Sequence, residues 1–132
     1  MSDYIVDDKV RVNGVQYNCI DEKSGQVTTI GGTKNDSDKP DLSLVPRVAI
    51  EQIAKALMHG ERKYDRHNYL KGFNSNRLIA ATLRHVLAWQ DGEDSDPESG
   101  LSHLAHALAG LSMLLDCQRV GTLTDGRFKR GS

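Results

Sequence analysis

Hydrophobic positions along the chain follow two rhythms, and the change from one to the other falls near residue 40. Val10-Arg11-Val12, then Asn13-Gly14, then Val15-Gln16-Tyr17 alternates with the two-residue period of a strand around a dipeptide that favours a type I′ turn, which predicts a β-hairpin. Gln26-Val27-Thr28-Thr29-Ile30 predicts a third short strand, and Gly31-Gly32 followed by Thr33-Lys34-Asn35-Asp36-Ser37-Asp38 reads as a polar linker. Pro40 and Pro46 bracket an extended segment, after which the period becomes helical.

A first helix is predicted over residues 46–60. Pro46 suits a first-turn position, Ala49, Ile53 and Leu57 share a face with Ile50 and Ala54 beside them, and Gly60 supplies the stop. Residues 62–76 contain Tyr64, Tyr69 and Phe73 among Asp, Asn and Gly without a sustained period, so a structured loop is expected. A second helix is predicted from an Asn76 N-cap to about Gln90, stacking Leu78, Thr82, His85 and Trp89, with Gly92 closing it. The third is predicted from about Ser99 to about Cys117. Its leucines Leu101, Leu104, Leu108, Leu111 and Leu115 form one stripe, and at ~100° per residue His103, His106 and Gly110 fall on the opposite side, with Ala107 and Leu114 on one flank. A helix so poor in charge is expected to be covered on both sides, by a core and by a subunit interface that includes residues near Met113 and Leu114. The expected fold class is therefore mainly α: an oligomeric helical bundle with a small N-terminal β-hairpin. Its expected parts are a hairpin and linker over 1–38, a helical domain over 39–118 and a flexible C-terminal tail over 119–132.

Composition narrows the function. A chain of 132 residues with 17 Lys plus Arg against 18 Asp plus Glu has a formal net charge of −1, so it offers no global basic excess to a nucleic-acid backbone or an anionic membrane. Neither partner is expected, and any phosphate contact must be local. Apolar runs fall far short of the roughly 18–20 residues that span a bilayer, and Met1-Ser2-Asp3-Tyr4 lacks a basic, hydrophobic leader; a soluble, unexported, cytoplasmic protein is expected. Cys19 and Cys117 have no Cys-x-x-Cys spacing, which argues against a zinc ribbon and a disulfide scaffold alike.

Local charge is uneven. Residues 91–98 hold five carboxylates without a basic residue, whereas residues 47–71 hold six Lys or Arg against three acids. Folding that joins the two would satisfy divalent cations and phosphates in one place. Three elements could converge: the loop with Lys63, Tyr64 and Asn68, the Arg84-His85 pair, and the acidic loop leading into His103-x-x-His106. His85 lies in an apolar stripe and reads either as a hydrogen-bonded core histidine or as a ligand; His103 and His106 read as a functional pair or as interface packing. Trp89 reads as core, while Tyr64 and Tyr69 would stack on a base or pin the loop.

The ordered series Lys39-Pro40-Asp41-Leu42-Ser43-Leu44-Val45-Pro46, Gly60-Glu61-Arg62-Lys63-Tyr64, Asn68-Tyr69, Gly72, Arg84-His85, Gly92-Glu93, Asp96-Pro97-Glu98-Ser99-Gly100 and His103-Leu104-Ala105-His106 resembles the phage dATP/dGTP diphosphohydrolases, MazZ-type and MazG-like, over residues 31–117. The resemblance implies a MazG-like helical bundle acting as a nucleotide pyrophosphohydrolase. Such an enzyme cuts a purine deoxynucleoside triphosphate between the α and β phosphates with Mg2+ or Mn2+. In phages that use 2-aminoadenine it removes dATP and dGTP and supplies dGMP, which would place it in the host cytoplasm. The wider MazG group binds metal through Glu-x-x-Glu and Glu-x-x-Asp pairs; here no Glu-x-x-Glu occurs, and Glu93-x-x-Asp96 surrounds a loop proline's neighbourhood rather than mid-helix residues.

Chemistry and the motif residues together then suggest Glu93, Asp96, Glu98 and His103 as metal ligands, and Glu93 or His85 as acceptor of the water proton. Lys63, Tyr64, Asn68, Arg84 and His106 are the expected substrate contacts, and a homodimer or homotetramer the expected assembly. Two alternatives remain: a His-Asp-type dNTP triphosphohydrolase, for which no adjacent His-Asp dipeptide occurs, and a non-catalytic nucleotide-binding oligomer.

Overall fold

In a computed structural model, the described residues are the strand segments 4–6, 9–12, 15–18 and 27–29 and all residues from 32 to 131. They fall into two compact units, residues 1–42 and 43–132.

The first unit is a five-stranded sheet in sequential order, β1 (Tyr4–Val6), β2 (Lys9–Val12), β3 (Val15–Asn18), β4 (Val27–Thr29) and β5 (Gly32–Lys34), with every neighbouring pair antiparallel. The expected hairpin is β2–β3, in which Val12 faces Val15. Its turn, Asn13-Gly14, lies outside the described residues, as do Gln26 and Ile30 at the ends of the expected third strand. Two strands were not anticipated. Gly32–Lys34, expected as linker, pairs with β4 through Thr28 opposite Thr33. Short polar strands of this kind have no apolar alternation to betray them, because the main-chain ladder rather than a buried face defines the pairing.

The second unit is mainly helical: α1 (Arg47–Lys63), α2 (Ser75–Gln90) and α3 (His103–Val120), with the two-residue strands β6 (Phe73–Asn74) and β7 (Leu123–Thr124) paired in parallel. Each predicted helix exists, and each boundary moves. Pro46 is the N-cap of α1, and the helix continues past Gly60 for most of another turn. One interior glycine costs a helix only ~1 kcal/mol, and Arg62 and Lys63 suit the negative end of the helix dipole. Asn74 rather than Asn76 caps α2; its side chain accepts a 2.9 Å bond from the Asn76 backbone N–H. Ser102 rather than Ser99 caps α3 by accepting from Leu104 N–H at 3.1 Å, and Gly121 at φ 81° ends it. Residues 96–100 turn instead of entering the helix: Gly100 adopts φ 72° and its N–H bonds to the Asp96 carbonyl at 2.8 Å.

α3 packs against both α1 and α2, and the contact is made by its small residues. Ala105 and Ala109 form the core with Ala56, flanked by Leu57 and Leu101. At Gly110 an added Cβ would overlap the hydroxyl of Thr82 on α2, so the two backbones approach only because no side chain is there. Beyond Leu101, the leucine stripe of α3 is not the side that packs on this core. Leu104, Leu108 and Leu111 are exposed, Leu115 is 68% exposed, and on α2 Leu83, Val86 and Leu87 are exposed as well. Trp89, expected in the core, is also exposed, as is Ile50 beside the α1 stripe. Helices that meet closely through Ala and Gly hold only a few leucines between them, Leu57, Leu78 and Leu101.

Residues 119 and 120 complete α3, and the chain beyond it returns to the start of α2. There Gly126 N–H bonds to Ser75 Oγ at 2.9 Å, and Asn76 Nδ2 donates to the Gly126 carbonyl at 2.9 Å. No described helix is long and apolar enough to cross a membrane.

Candidate functional site

Where the three helices meet they line a cavity of about 790 Å³. α1 contributes His59 and Lys63, one helical turn apart on one face, and α2 contributes Leu78, Thr82, Arg84 and His85. His106, Gly110 and Met113 come from α3, Tyr64, Asn68 and Tyr69 from the loop after α1, and Asp96 and Glu98 from the acidic loop. That loop reaches the cavity because it is folded back on itself. Ser95 and Ser102 form an antiparallel bridge, Asp96 N–H bonds to the Leu101 carbonyl at 2.8 Å, and His103 N–H bonds to the Asp94 carbonyl at 2.9 Å.

At one end lies a cluster of imidazoles and carboxylates. His85 and His103 face each other through their Nδ1 atoms at 2.8 Å, and the ring of His85 stacks on that of His106 with centroids 4.6 Å apart. His59 completes the group, edge-on to His106 at 5.9 Å. His103 is only 4% exposed, and its Nε2 donates to Glu93 Oε1 at 2.6 Å. Asp96 Oδ2 accepts from both the backbone N–H (3.0 Å) and the hydroxyl (2.9 Å) of Ser99, whose Oγ also lies 2.6 Å from His106 Nε2. Burial by itself would raise the Asp96 carboxyl, but the Ser99 bonds and the nearby His106 and His85 outweigh it and hold the group below the usual carboxylate range. Burial likewise keeps His85 and His106 below the ordinary imidazole range; neighbouring His106 and His103 add to the effect on His85. One donor atom from each of His85, Asp96 and His103 lies within 4.8 Å of the others, so these three side chains can hold a metal ion.

The opposite rim is cationic and more open. Lys63 Nζ bonds to Glu98 Oε1 at 2.6 Å, and each group holds the other charged: the lysine is shifted up and the carboxyl down. Arg84 lines the cavity and, among the described residues, makes no ion pair, with Asp91 or Glu93 or any other acid. Tyr64 is exposed. Tyr69 pins the loop: its hydroxyl donates to Asp116 at 2.7 Å, its carbonyl accepts from Cys117 Sγ at 3.2 Å, and the bond to Asp116, together with burial, pushes the phenol up to about 12.

The cavity therefore gathers Lys63, Tyr64, Asn68, Arg84, His85, Asp96, Glu98 and His106, with Glu93 and His103 joined to each other just behind it. Glu98 is drawn to Lys63 rather than to the His85, Asp96 and His103 group. Sequence reasoning assigned no role to His59 or Ser99. A helix continued past Gly60 places His59 and Lys63 on one face, and stopping it at Gly60 hid that signal. Ser99 sits within a motif, but only the turn geometry joins it to Asp96 and His106.

A family model described as the dATP/dGTP diphosphohydrolase N-terminal domain matches residues 29–127. The chain belongs to this family. A similar protein, a dATP/dGTP diphosphohydrolase of Salmonella phage PMBT28, is 42% identical over 83 residues, which is 63% of this chain and 28% of that protein. The chain thus spans under a third of the relative it matches, and the matched part corresponds to a domain of a longer enzyme there. No solved structure matches the chain. The family match runs through all three helices and the acidic loop, so the whole cavity lies inside the diphosphohydrolase domain.

Proposed function

We propose that the helical unit hydrolyses purine deoxynucleoside triphosphates, dGTP and dATP, between the α and β phosphates, releasing the monophosphate and pyrophosphate. Its place would be in remodelling a phage-infected cell's nucleotide pool, where the dGMP product could feed synthesis of 2-aminoadenine DNA. The observation that carries this reading is the pairing, at one cavity, of a His/Asp group able to hold a cation with an Arg84 guanidinium that, among the described residues, has no carboxylate partner.

A divalent ion held there, Mg2+ or Mn2+ by family resemblance, would supply Lewis acidity toward water and the triphosphate. The chain's own residues do the rest. Arg84 grips a phosphate with its planar fork, and Lys63 neutralises charge on the leaving group once the triphosphate displaces Glu98. Glu93 takes the proton of the attacking water, or His85 does where the ion does not engage it. Tyr64, Asn68 and His106 position the nucleotide, which leaves phosphoryl transfer to rest on placement and electrostatics. The outward leucines of α3 fit a homodimer or homotetramer.

One observation favours a second reading. Four histidines and an aspartate converge from separate segments although no His-Asp dipeptide exists, a donor set also suited to a dNTP triphosphohydrolase. Incubation with each dNTP and Mn2+, followed by separation of products, decides between them. Monophosphate plus pyrophosphate supports the first reading, nucleoside plus triphosphate replaces it with the second, and binding without products makes the chain a nucleotide-binding oligomer.

A further inference from the structure

The geometry points to a two-histidine, one-carboxylate centre in which His85, His103 and Asp96 select a first-row transition ion such as Mn2+ over Mg2+. Three elements supply the donors: α2, the first turn of α3 and the acidic loop. Each of two ligands is oriented by a further group. A carboxylate only accepts, so the His103 nitrogen bonded to Glu93 carries a proton, and the other ring nitrogen, Nδ1, is the one turned toward His85. This is the usual arrangement of a metal-bound histidine, whose other nitrogen donates to a carboxylate. Ser99 does the corresponding work on Asp96: it fills Oδ2 with two hydrogen bonds and leaves Oδ1 to serve an ion.

The chemistry of the set separates two ions that the family resemblance leaves together. Mg2+ takes oxygen ligands and gives up water reluctantly, whereas imidazole nitrogen suits the transition ions. Two imidazoles in a set of three, one of them buried, leave Mg2+ with one good ligand. The two Nδ1 atoms lie 2.8 Å apart, close enough to serve one ion together. The neighbouring cavity gives an ion held there room for further oxygen ligands from water or phosphate. Glu93 is in this scheme a positioning residue for His103.

The proposal draws on the hydrolase reading only for the use to which the ion is put, and it is tested without turnover. The full chain, stripped with a chelator, is titrated with Mn2+ by calorimetry and with Co2+ by visible absorption, each with Mg2+ as competitor. One Mn2+ should bind per chain, and a ~100-fold excess of Mg2+ should displace less than half of it. Glu93→Gln, at a side chain that is half exposed, should keep the melting temperature and weaken Mn2+ binding ~10–100-fold. His103→Gln should abolish the Co2+ absorption. Displacement of Mn2+ by an equal concentration of Mg2+ would overturn the proposal, as would unchanged Mn2+ affinity in Glu93→Gln and His103→Gln together. If the ion binds as stated and no dNTP is cleaved, the centre stands and the hydrolase reading falls. Cleavage sustained by Mg2+ alone, with no Mn2+ preference in binding, removes the centre and keeps the hydrolase.

Discussion

Two faces of α3 are built from different residues and meet different neighbours. One carries His103, His106, Gly110 and Cys117 among alanines and is pressed against α1 and α2; the other carries Leu104, Leu108, Leu111 and Leu115, which the described residues leave exposed. The apolar face is thus the open one, and the face with histidines is the buried one. Small residues allow close helix approach, and close approach shields imidazoles and carboxylates from water, which strengthens every polar contact among them. Large residues serve a second purpose, a surface that a partner can cover. Packing and the candidate site share one side of the helix, and the proposed association would use the other.

The sharpest way to break this division is at His106, which belongs to the chemical face. His106→Gln should lower dGTP turnover ~10–100-fold, the equivalent of ~1.5–3 kcal/mol for a hydrogen bond to a charged group, with the melting temperature little changed. Steady-state kinetics at saturating metal check it, and wild-type turnover would assign the histidine to packing alone. Gly110→Ala tests the packing half of the same face. Its Cβ would overlap Thr82, so the variant should lose ~1–3 kcal/mol, read as a lowered denaturation midpoint.

The double substitution Leu108→Glu/Leu111→Glu addresses the open face. Intramolecular stability should stay within ~0.5 kcal/mol, because neither side chain is buried in the chain. Sedimentation at micromolar concentration should fall from oligomer to monomer, and a wild-type protein already monomeric would remove that role from the leucines. The smallest effect is expected at the edge between the faces, where Asp116 holds Tyr69. Hydrogen bonding to Asp116 raises the Tyr69 phenol to about 12 in the folded chain, above the ~10 of an unfolded tyrosine. The stabilisation is therefore complete below pH ~10 and lost as pH rises through the folded value. Tyr69→Phe should flatten the dependence of melting temperature on pH in that window.

Three helices, the change of rhythm near residue 40 and most of the residues around the cavity were legible in the sequence, because helical period, caps and charge clusters are local properties. Lys63, Arg84, His85, Asp96 and His106 could be named from motif and chemistry before any fold was known. The family, too, is written in the order of short motifs. What the linear pattern left open was which side of a helix is inside, since it read both sides of α3 as covered. A stripe of five leucines marks an apolar face, but whether that face meets the same chain or another depends on the spacing between helices, which Gly110, Ala105 and Ala109 set. The joining of His85 to His103, of Glu93 to His103 and of Ser99 to Asp96 and His106 was likewise decided by the tertiary structure. Those contacts link residues on α2, on the acidic loop and on α3, and only the folding of that loop against two packed helices brings their atoms within bonding distance.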